Sequence, residues 1–505
     1  MDSYLIGFDV GSSSIKAALV NADTQEIVQV THYPETEMGV ISHFPGWAEQ
    51  HPETWWENLC IASRRLLDKS GVRAEHIKSI GISYQMHGLV LLGENNEVLR
   101  PSIIWSDSRS VEIGRKAFAD LGKEMCYTHL LNSPGNFTLS KLKWVLDNEP
   151  EVYARLKKFV LPGDYIAMKM TGEACTTVSG ISEGVLWDFK NEEVAQFLLD
   201  YFGIDRSKVA DIVPTFSDQG KLLDGPARQL GLKPGTPVTY RAGDQPNNAL
   251  SLNVFNPGEI AATGGTSGVV YAVVDHPVSD EQSRINGFAH VNYSSHDPRI
   301  GLLLCINGAG SQYSWLKKEI ANNGTTYEDM ERMISQVPVS SEGLRVIPFG
   351  NGAERMLDNK VLGSHVINLH FNRHGKAHFY RAALEGIAFS FIYGMEIFDG
   401  MGIVPRVIRV GNDNLFRSSV FSTTIAALTG CKIEIIETTG AAGAASASGV
   451  AIGAYASAEE ALSGVKVAKA YEVADTMDKY RSAYEIWKAD LEKLLLQEQE
   501  LKTSI

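Results

Sequence analysis

The chain has 505 residues, 44% hydrophobic and 21% charged, enough to bury the cores of two large domains. A formal charge of −14 argues against nucleic acid or an anionic membrane as the main partner, since either calls for a basic surface, so any phosphate binding has to be local. Cys60, Cys126, Cys175, Cys305 and Cys431 lie far apart without a CxxC pair, which speaks against a disulfide framework or a zinc site. No basic leader and no long apolar segment opens the sequence, so neither a secretory signal nor a membrane span is expected and a reducing, cytoplasmic compartment fits.

In chain order, residues 5–10 and 15–20 read as strands around the turn Gly11-Ser12-Ser13-Ser14. Backbone N–H groups in such a turn meet phosphate oxygens because no Cβ blocks the approach, and hydroxyls add donors. Asp9, where the strand enters the turn, suits a Mg²⁺ ion held through water. Lys16, just beyond, either adds charge to the turn or is a strand-surface lysine. An ordinary β-hairpin is the competing reading of this segment taken alone. A third strand follows at 26–31. Pro52 and Glu53 suit the first turn of a helix to about Asp68, with Trp55, Leu59, Ala62 and Leu66 on its structural face.

The next strand, 80–84, ends at Gln85-Met86-His87-Gly88, and a second, 89–92, leads away. Polar residues at a strand end facing a cleft are placed to meet a ligand. Taken singly, His87 also reads as a core or loop histidine and Met86 as a gap filler. The strand before Trp105-Ser106-Asp107-Ser108-Arg109 repeats the arrangement. Trp105 can wall a sugar by stacking, while Asp107 and Arg109 either face the cleft or pair with each other. From 111 to 239 the sequence is least informative: Asn132-Ser133-Pro134-Gly135-Asn136 and Pro234-Gly235-Thr236-Pro237 mark loops, and 192–202 reads as a helix.

The chemistry concentrates between 240 and 268. Asp244 follows Gly243 and precedes Gln245-Pro246-Asn247-Asn248; a helix-like run leads from there to a second turn, Gly264-Gly265-Thr266-Ser267-Gly268, between strand-like segments. An Asp after Gly is by itself most often a turn residue. Here, however, the hairpin of residues 5–20 recurs half a chain later, which points to two similar domains offering phosphate-binding hairpins to one cleft. The boundary falls near Ser251, giving domains 1–250 and 251–505. Only the first copy carries an acid. A carboxylate that takes a hydroxyl proton beside donors that hold phosphate is what phosphoryl transfer requires.

Further on, the buried strand 301–306 runs into Asn307-Gly308-Ala309-Gly310-Ser311, small residues that admit either a nucleotide or a packed strand. Residues 376–399 form a core helix. A strand from 407 ends at Gly411-Asn412-Asp413-Asn414. Residues 440–449 are a small-residue helix suited to tight packing near a nucleotide, and Tyr480, Tyr484, Trp487, Leu491 and Leu494 stripe a final amphipathic helix.

Several of these segments, in this order, resemble the FGGY carbohydrate kinases. The resemblance is carried by Gly7-Phe8-Asp9-Val10-Gly11-Ser12-Ser13, Trp47-Ala48-Glu49-Gln50, Gln85-Met86-His87-Gly88, Trp105-Ser106-Asp107-Ser108-Arg109 and Thr138-Leu139-Ser140-Lys141-Leu142-Lys143-Trp144. It continues through Leu161-Pro162-Gly163-Asp164-Tyr165, Ala242-Gly243-Asp244, Gly265-Thr266-Ser267-Gly268 and Tyr380-Arg381-Ala382-Ala383-Leu384-Glu385-Gly386, nearly the whole chain. Gln-Met-His-Gly resembles the xylulokinase branch; the glycerol kinase branch would show Arg-Glu there.

The resemblance implies an α/β fold of two ribonuclease-H-like, actin-like domains flanking a central cleft, with sugar deep in it and ATP above. It implies Asp244 as the catalytic base and Asp9 as a catalytic acid near Mg²⁺. Met86 and His87 are implied sugar contacts, to which Trp105, Gln245 and Asp244 itself are added. Gly11, Ser12, Ser13, Ser14, Lys16, Gly265, Thr266, Ser267, Gly310, Gly411 and Asn414 make up the nucleotide set. The implied reaction is ATP-dependent phosphorylation of a ketopentose, D-xylulose first; the alternatives are another ketose or a polyol, or an actin-like ATPase without a sugar. A homodimer stays open as the assembly.

The chain departs from the family pattern in three places. Of a Gly-Gly-Gly adenine platform only Gly411 is present, followed by Asn412, Asp413 and Asn414. The amides after Asp244 exceed expectation, and Asn247 or Asn248 either reaches a sugar hydroxyl or caps the next helix. Asn368 and Phe371-Asn372-Arg373-His374 replace a glycine and a serine-containing turn. These changes leave the reaction type standing and bear on which sugar is taken.

Overall fold

The computed structural model describes residues 3–473 and 477–503. Two sheets dominate it. The first contains β1 (Tyr4–Val10), β2 (Ile15–Asn21) and β3 (Ile27–Tyr33); helix α1 (Pro52–Ser70) then leads to β4 (Ile77–Tyr84). After a long insertion that includes the short helix α2 (Val178–Glu183), β5 (Val238–Gly243) completes it, and α3 (Asp244–Ser251) leaves directly from its end. The strand order is β5-β4-β1-β2-β3, with β1 and β2 an antiparallel hairpin and β1, β4 and β5 parallel.

The second sheet uses β6 (Glu259–Gly264), β7 (Gly268–Val274), β8 (Asn286–Ala289) and β9 (Ile300–Ile306), followed by helices α4 (Gly310–Trp315) and α5 (Lys376–Gly400). Then come β10 (Val407–Gly411), β11 (Lys432–Ile436), helix α6 (Gly440–Ala451), β12 (Val467–Tyr471) and helix α7 (Met477–Thr503). Its order is β8-β9-β7-β6-β10-β11-β12. Without the edge strands β8 and β12 this is the plan of the first sheet: an antiparallel hairpin, then two strands parallel to its first member. The recurring Gly/Ser turn thus marks a recurring sheet.

The composition of α6 follows from where it packs. It leaves the end of β11 yet lies on the first sheet, so close that a Cβ on Gly7 of β1 or on Gly81 of β4 would collide with the main chain at Ala441 and Ala444. Only small side chains leave room for that approach, which is how residues 440–449 come to read as almost all Ala, Gly and Ser. The opposite face is covered by α1, whose Trp55, Trp56, Leu59, Ala62 and Leu66 are buried and whose C-terminus turns at Gly71 with φ 67. In the second half α5 is buried through most of its length, and Trp487 of α7 donates its indole N–H to the carbonyl of Val346 (2.8 Å).

Two local expectations change. Residues 192–202 are not one helix: Glu193–Val194 pairs with Trp187–Asp188, and the helix starts at Gln196. The Asp188 carboxylate accepts from the N–H groups of Lys190 and Asn191, closing a tight turn with Glu192 at φ 57; local turn chemistry outweighs helix propensity there. The amide run after Asp244 does not precede a helix but forms its first turns. Among the described residues no helix is long and apolar enough to cross a membrane.

Candidate active site

Parallel pairing of β1, β4 and β5 aligns Val10, Tyr84 and Gly243 in one row at the ends of their strands. The residues around that row, Asp9 with Gly11, Gln85 to His87, and Asp244, therefore gather on one edge of the sheet, where ligands of parallel α/β sheets bind. Asp9 accepts from the Ser83 hydroxyl (3.1 Å) and pairs with Lys16 (3.5 Å). Asp244 opens α3. Burial, then repulsion from Asp9, pushes its carboxyl up to about 7, against hydrogen bonds from the Gln245 main chain and side chain. A carboxylate poised near neutral pH is suited to accept a proton from a hydroxyl.

The N-terminus of α6 faces the same acids. A Cβ on Gly440 would stand 3.2 Å from Asp9 Oδ2. The positive end of this helix favours phosphate close by. Thr439 caps it, accepting from the N–H of Ala442 (3.1 Å). Asn247 neither caps nor reaches the cleft: it is buried, accepts from the Tyr240 hydroxyl (3.1 Å) and donates to the Gly440 carbonyl (2.9 Å), joining α3 to α6.

On the sugar side, Met86 is buried and packs where a Cβ on Gly243 would come within 2.6 Å of its Cγ. His87 sits at φ 61, and its Nδ1 lies 2.9 Å from the main-chain oxygen of Glu183. A carbonyl only accepts, so Nδ1 carries the proton and Nε2 is the acceptor nitrogen. Burial, reinforced by the charge of Lys141, lowers the pKa of His87 to about 3, so the ring is neutral. Phe137 meets it edge-on at 4.8 Å and Phe288 is tilted against it at 5.5 Å.

Trp105 is 54% exposed at the rim and donates to the Ser12 hydroxyl (3.2 Å), tying the sugar side to the first turn. Gln245 is half-buried against Asp244. Asp107 and Arg109 turn away: they pair with each other (2.7 Å), Arg109 also pairs with Glu49 (2.6 Å), and its guanidinium covers Trp47 at 3.8 Å.

The two Gly/Ser turns close differently. In the first, the N–H of Gly11 donates to Ser14 O (3.2 Å), and Gln50 and Met38 bond the carbonyls of Ser12 and Ser13. In the second, Gly310 and Ser311 donate to the carbonyls of Gly265 and Thr266 (both 3.0 Å), and a Cβ on Gly310 would strike Gly265. Beside this turn opens a cavity of about 760 Å³ lined by Gly265, Thr266, Gly310, Tyr313 and Asn414 among others, with Tyr313 stacked on Tyr327 at 5.9 Å. Ser267 and Gly411 lie off its wall; Asn414, at φ 52, starts the turn Asn414–Arg417 that borders it. Lys16 acts across the cleft, drawing down an Asp413 carboxyl that burial raises.

Four groups near the sugar side carried no separable sequence signal: Glu183, Phe288, Asn286 and Arg355. Arg355 bonds Asn286 Oδ1, and its charge acts on His87 and Cys305. Lys141 lay inside a quoted motif but without a role; it is buried, donates to the carbonyls of His87 (2.8 Å) and Ile104 (3.1 Å), and burial brings its ammonium down to about 7.

Residues 4–251 match the N-terminal domain, and residues 260–457 the C-terminal domain, of the FGGY family of carbohydrate kinases. The chain belongs to this family. It is 29% identical over 501 residues to the xylulose kinase of Bacillus subtilis (strain 168), covering 96% of both chains. To the gluconokinase of the same strain it is 27% identical over 428 residues, 81% of this chain and 80% of that one. The crystal structure of a "xyloylose kinase" from Brucella ovis overlays it with a TM-score of 0.87, covering 97% of this chain and 99% of that one at 25% identity. This FGGY protein is an ATP-dependent sugar kinase whose two α/β domains have the actin-like fold.

Proposed function

We propose that this kinase phosphorylates the terminal hydroxyl of a ketopentose, D-xylulose first, with Asp244 as general base. The carrying observation is the position of Asp244 at the head of α3, half-buried, beside the charge of Asp9, with its carboxyl near neutrality. Asp244 takes the hydroxyl proton as the sugar oxygen bonds to the γ-phosphorus of ATP. The bond from that phosphorus to the bridging oxygen breaks, and ADP leaves.

Gly11, Ser12, Ser13, Ser14 and Lys16 from one turn, and Gly265, Thr266 and Ser267 from the other, hold the phosphates. Gly310, Gly411 and Asn414 flank the rest of the nucleotide. Asp9 is a hard oxygen donor whose side chain is part-exposed, a donor that suits a Mg²⁺ ion keeping most of its waters; bound there, the ion would offset phosphate charge. Met86, His87, Trp105 and Gln245 contact the sugar. Domains 1–250 and 251–505 divide these roles, with the expected boundary at the last turn of α3.

A neutral ketose suits this floor better than an aldonate. Asp9 and Asp244 place carboxyls around it, while the nearby cations are committed, Lys141 to two carbonyls and Arg355 to Asn286. ADP release with ATP and a panel of D-xylulose, D-ribulose, glycerol and gluconate tests this. D-Xylulose should give the highest kcat/KM. Preference for gluconate would overturn the neutral-sugar reading, and turnover independent of any sugar would overturn the base assignment.

A further inference from the structure

The turn carrying His87 is held in a backbone conformation that non-glycine residues rarely adopt, φ 61, so something must hold it. Lys141 donates to its carbonyl and Phe137 and Phe288 pack on its ring, while two further hydrogen bonds of His87 run to Glu183, the last residue of α2. Glu183 Oε2 accepts from the His87 N–H (3.2 Å), and the Glu183 main-chain oxygen accepts from His87 Nδ1 (2.9 Å). The same carboxyl rests against Gly243, where a Cβ would stand 3.1 Å from Oε2. Glu183 therefore touches the residue before Asp244 and the residue expected to meet the sugar.

We propose that Glu183 is a positioning residue of the sugar site: it anchors the His87 turn and fixes the imidazole with Nδ1 protonated, so that Nε2 receives a sugar hydroxyl proton. This rests on the sugar-kinase reading. The side chain is 1% exposed, and a carboxyl is a costly filler for such a place, where an apolar group would pack without desolvation cost. Burial, above all, holds it well above the usual carboxylate range, with Asp244 adding to the effect and the Tyr84 hydroxyl opposing it.

The test compares Glu183→Ala with Glu183→Gln in the full chain, using D-xylulose or whichever panel sugar the wild type turns over fastest. Glu183→Ala should raise the sugar KM about tenfold and leave the ATP KM unchanged, the loss expected for one buried hydrogen bond. Glu183→Gln keeps the acceptor and should restore the sugar KM to within about threefold. In the ligand-free proteins, ring ¹⁵N NMR should find His87 protonated on Nδ1 in all three, since the Glu183 main-chain acceptor is kept, while the His87 backbone amide should lose its hydrogen-bonded shift in Glu183→Ala and keep it in Glu183→Gln.

A Glu183→Ala protein with lowered Tm but unchanged sugar KM and an unchanged His87 amide shift would make Glu183 a structural filler and overturn the proposal. Failure of Glu183→Gln to rescue, or a wild-type ring protonated on Nε2, would do the same. If no sugar is turned over, the kinase reading falls while the NMR comparison still decides Glu183.

Discussion

The two Gly/Ser hairpins share a plan and differ in what surrounds them. The β1–β2 turn has an acid at its base, a lysine just beyond it and the N-terminus of α6 in front, and the acid raises the pKa of Asp244 while the lysine lowers it. The β6–β7 turn has no acid; it is braced by Gly310 and Ser311 and opens onto a large cavity with stacked tyrosines. Repetition of one fold thus separates two tasks. On the proposed function, the first hairpin would meet the reacting end of the nucleotide and the second would shape the room for the rest of it.

The largest expected effect falls on the first side. Asp244→Asn should lower kcat by about 10³-fold, the range for loss of a positioned general base, while ATP binding measured calorimetrically stays within twofold or so. Retained kcat would put the base elsewhere. The acid limb of the pH profile sharpens the point. With the carboxyl near 7, kcat/KM should fall as pH drops below neutrality and Asp244 becomes protonated. Asp9→Asn removes a negative neighbour that raises this pKa, so whatever activity remains should show its limb at lower pH. A limb that moves upward or stays put would mean that burial alone sets it.

A change at the second hairpin should act on the nucleotide alone. Gly310→Ala drives a methyl into the Gly265 carbonyl and pushes the turn out of place. Overpacking at such a contact costs about 1–3 kcal/mol, so the ATP KM should rise about tenfold or more with the sugar KM unchanged. Equal loss for both substrates would mean that the hairpins are not separate in function.

Much of this division was legible in the sequence because hairpin strands and glycine turns leave local signatures. Asp9, Asp244 and both turns announce themselves by residue type and spacing, as does the stripe of α7. What escaped depends on contacts between segments far apart in sequence. Glu183 sits in an unremarkable Ser-Glu-Gly stretch, and only folding brings it to His87, 96 residues away. Asn247 read as a sugar contact or a cap because no local rule reveals that α6, two hundred residues on, lies against it. Asp107 and Arg109 are the reverse case: charges at a strand end suggest a ligand, and their mutual burial under Trp47 removes them from the cleft. The small-residue composition of α6 was visible, but its partner, the first sheet, was not.

The smallest expected effect concerns the contact that spans the two regions. Lys16 lies between Asp9 at 3.5 Å and the Asp413 carboxyl of the second half, yet its side chain is 52% exposed. Exposed pairs of this kind contribute at most about 1 kcal/mol, so Lys16→Met should raise the ATP KM only about threefold and leave Tm nearly unchanged. Because the interaction is screened, the difference between Lys16→Met and wild type should shrink as salt is raised. A much larger loss of kcat, insensitive to salt, would instead place the Lys16 ammonium on the phosphoryl group during transfer, moving it from the edge of the first hairpin into the reacting centre beside Asp244.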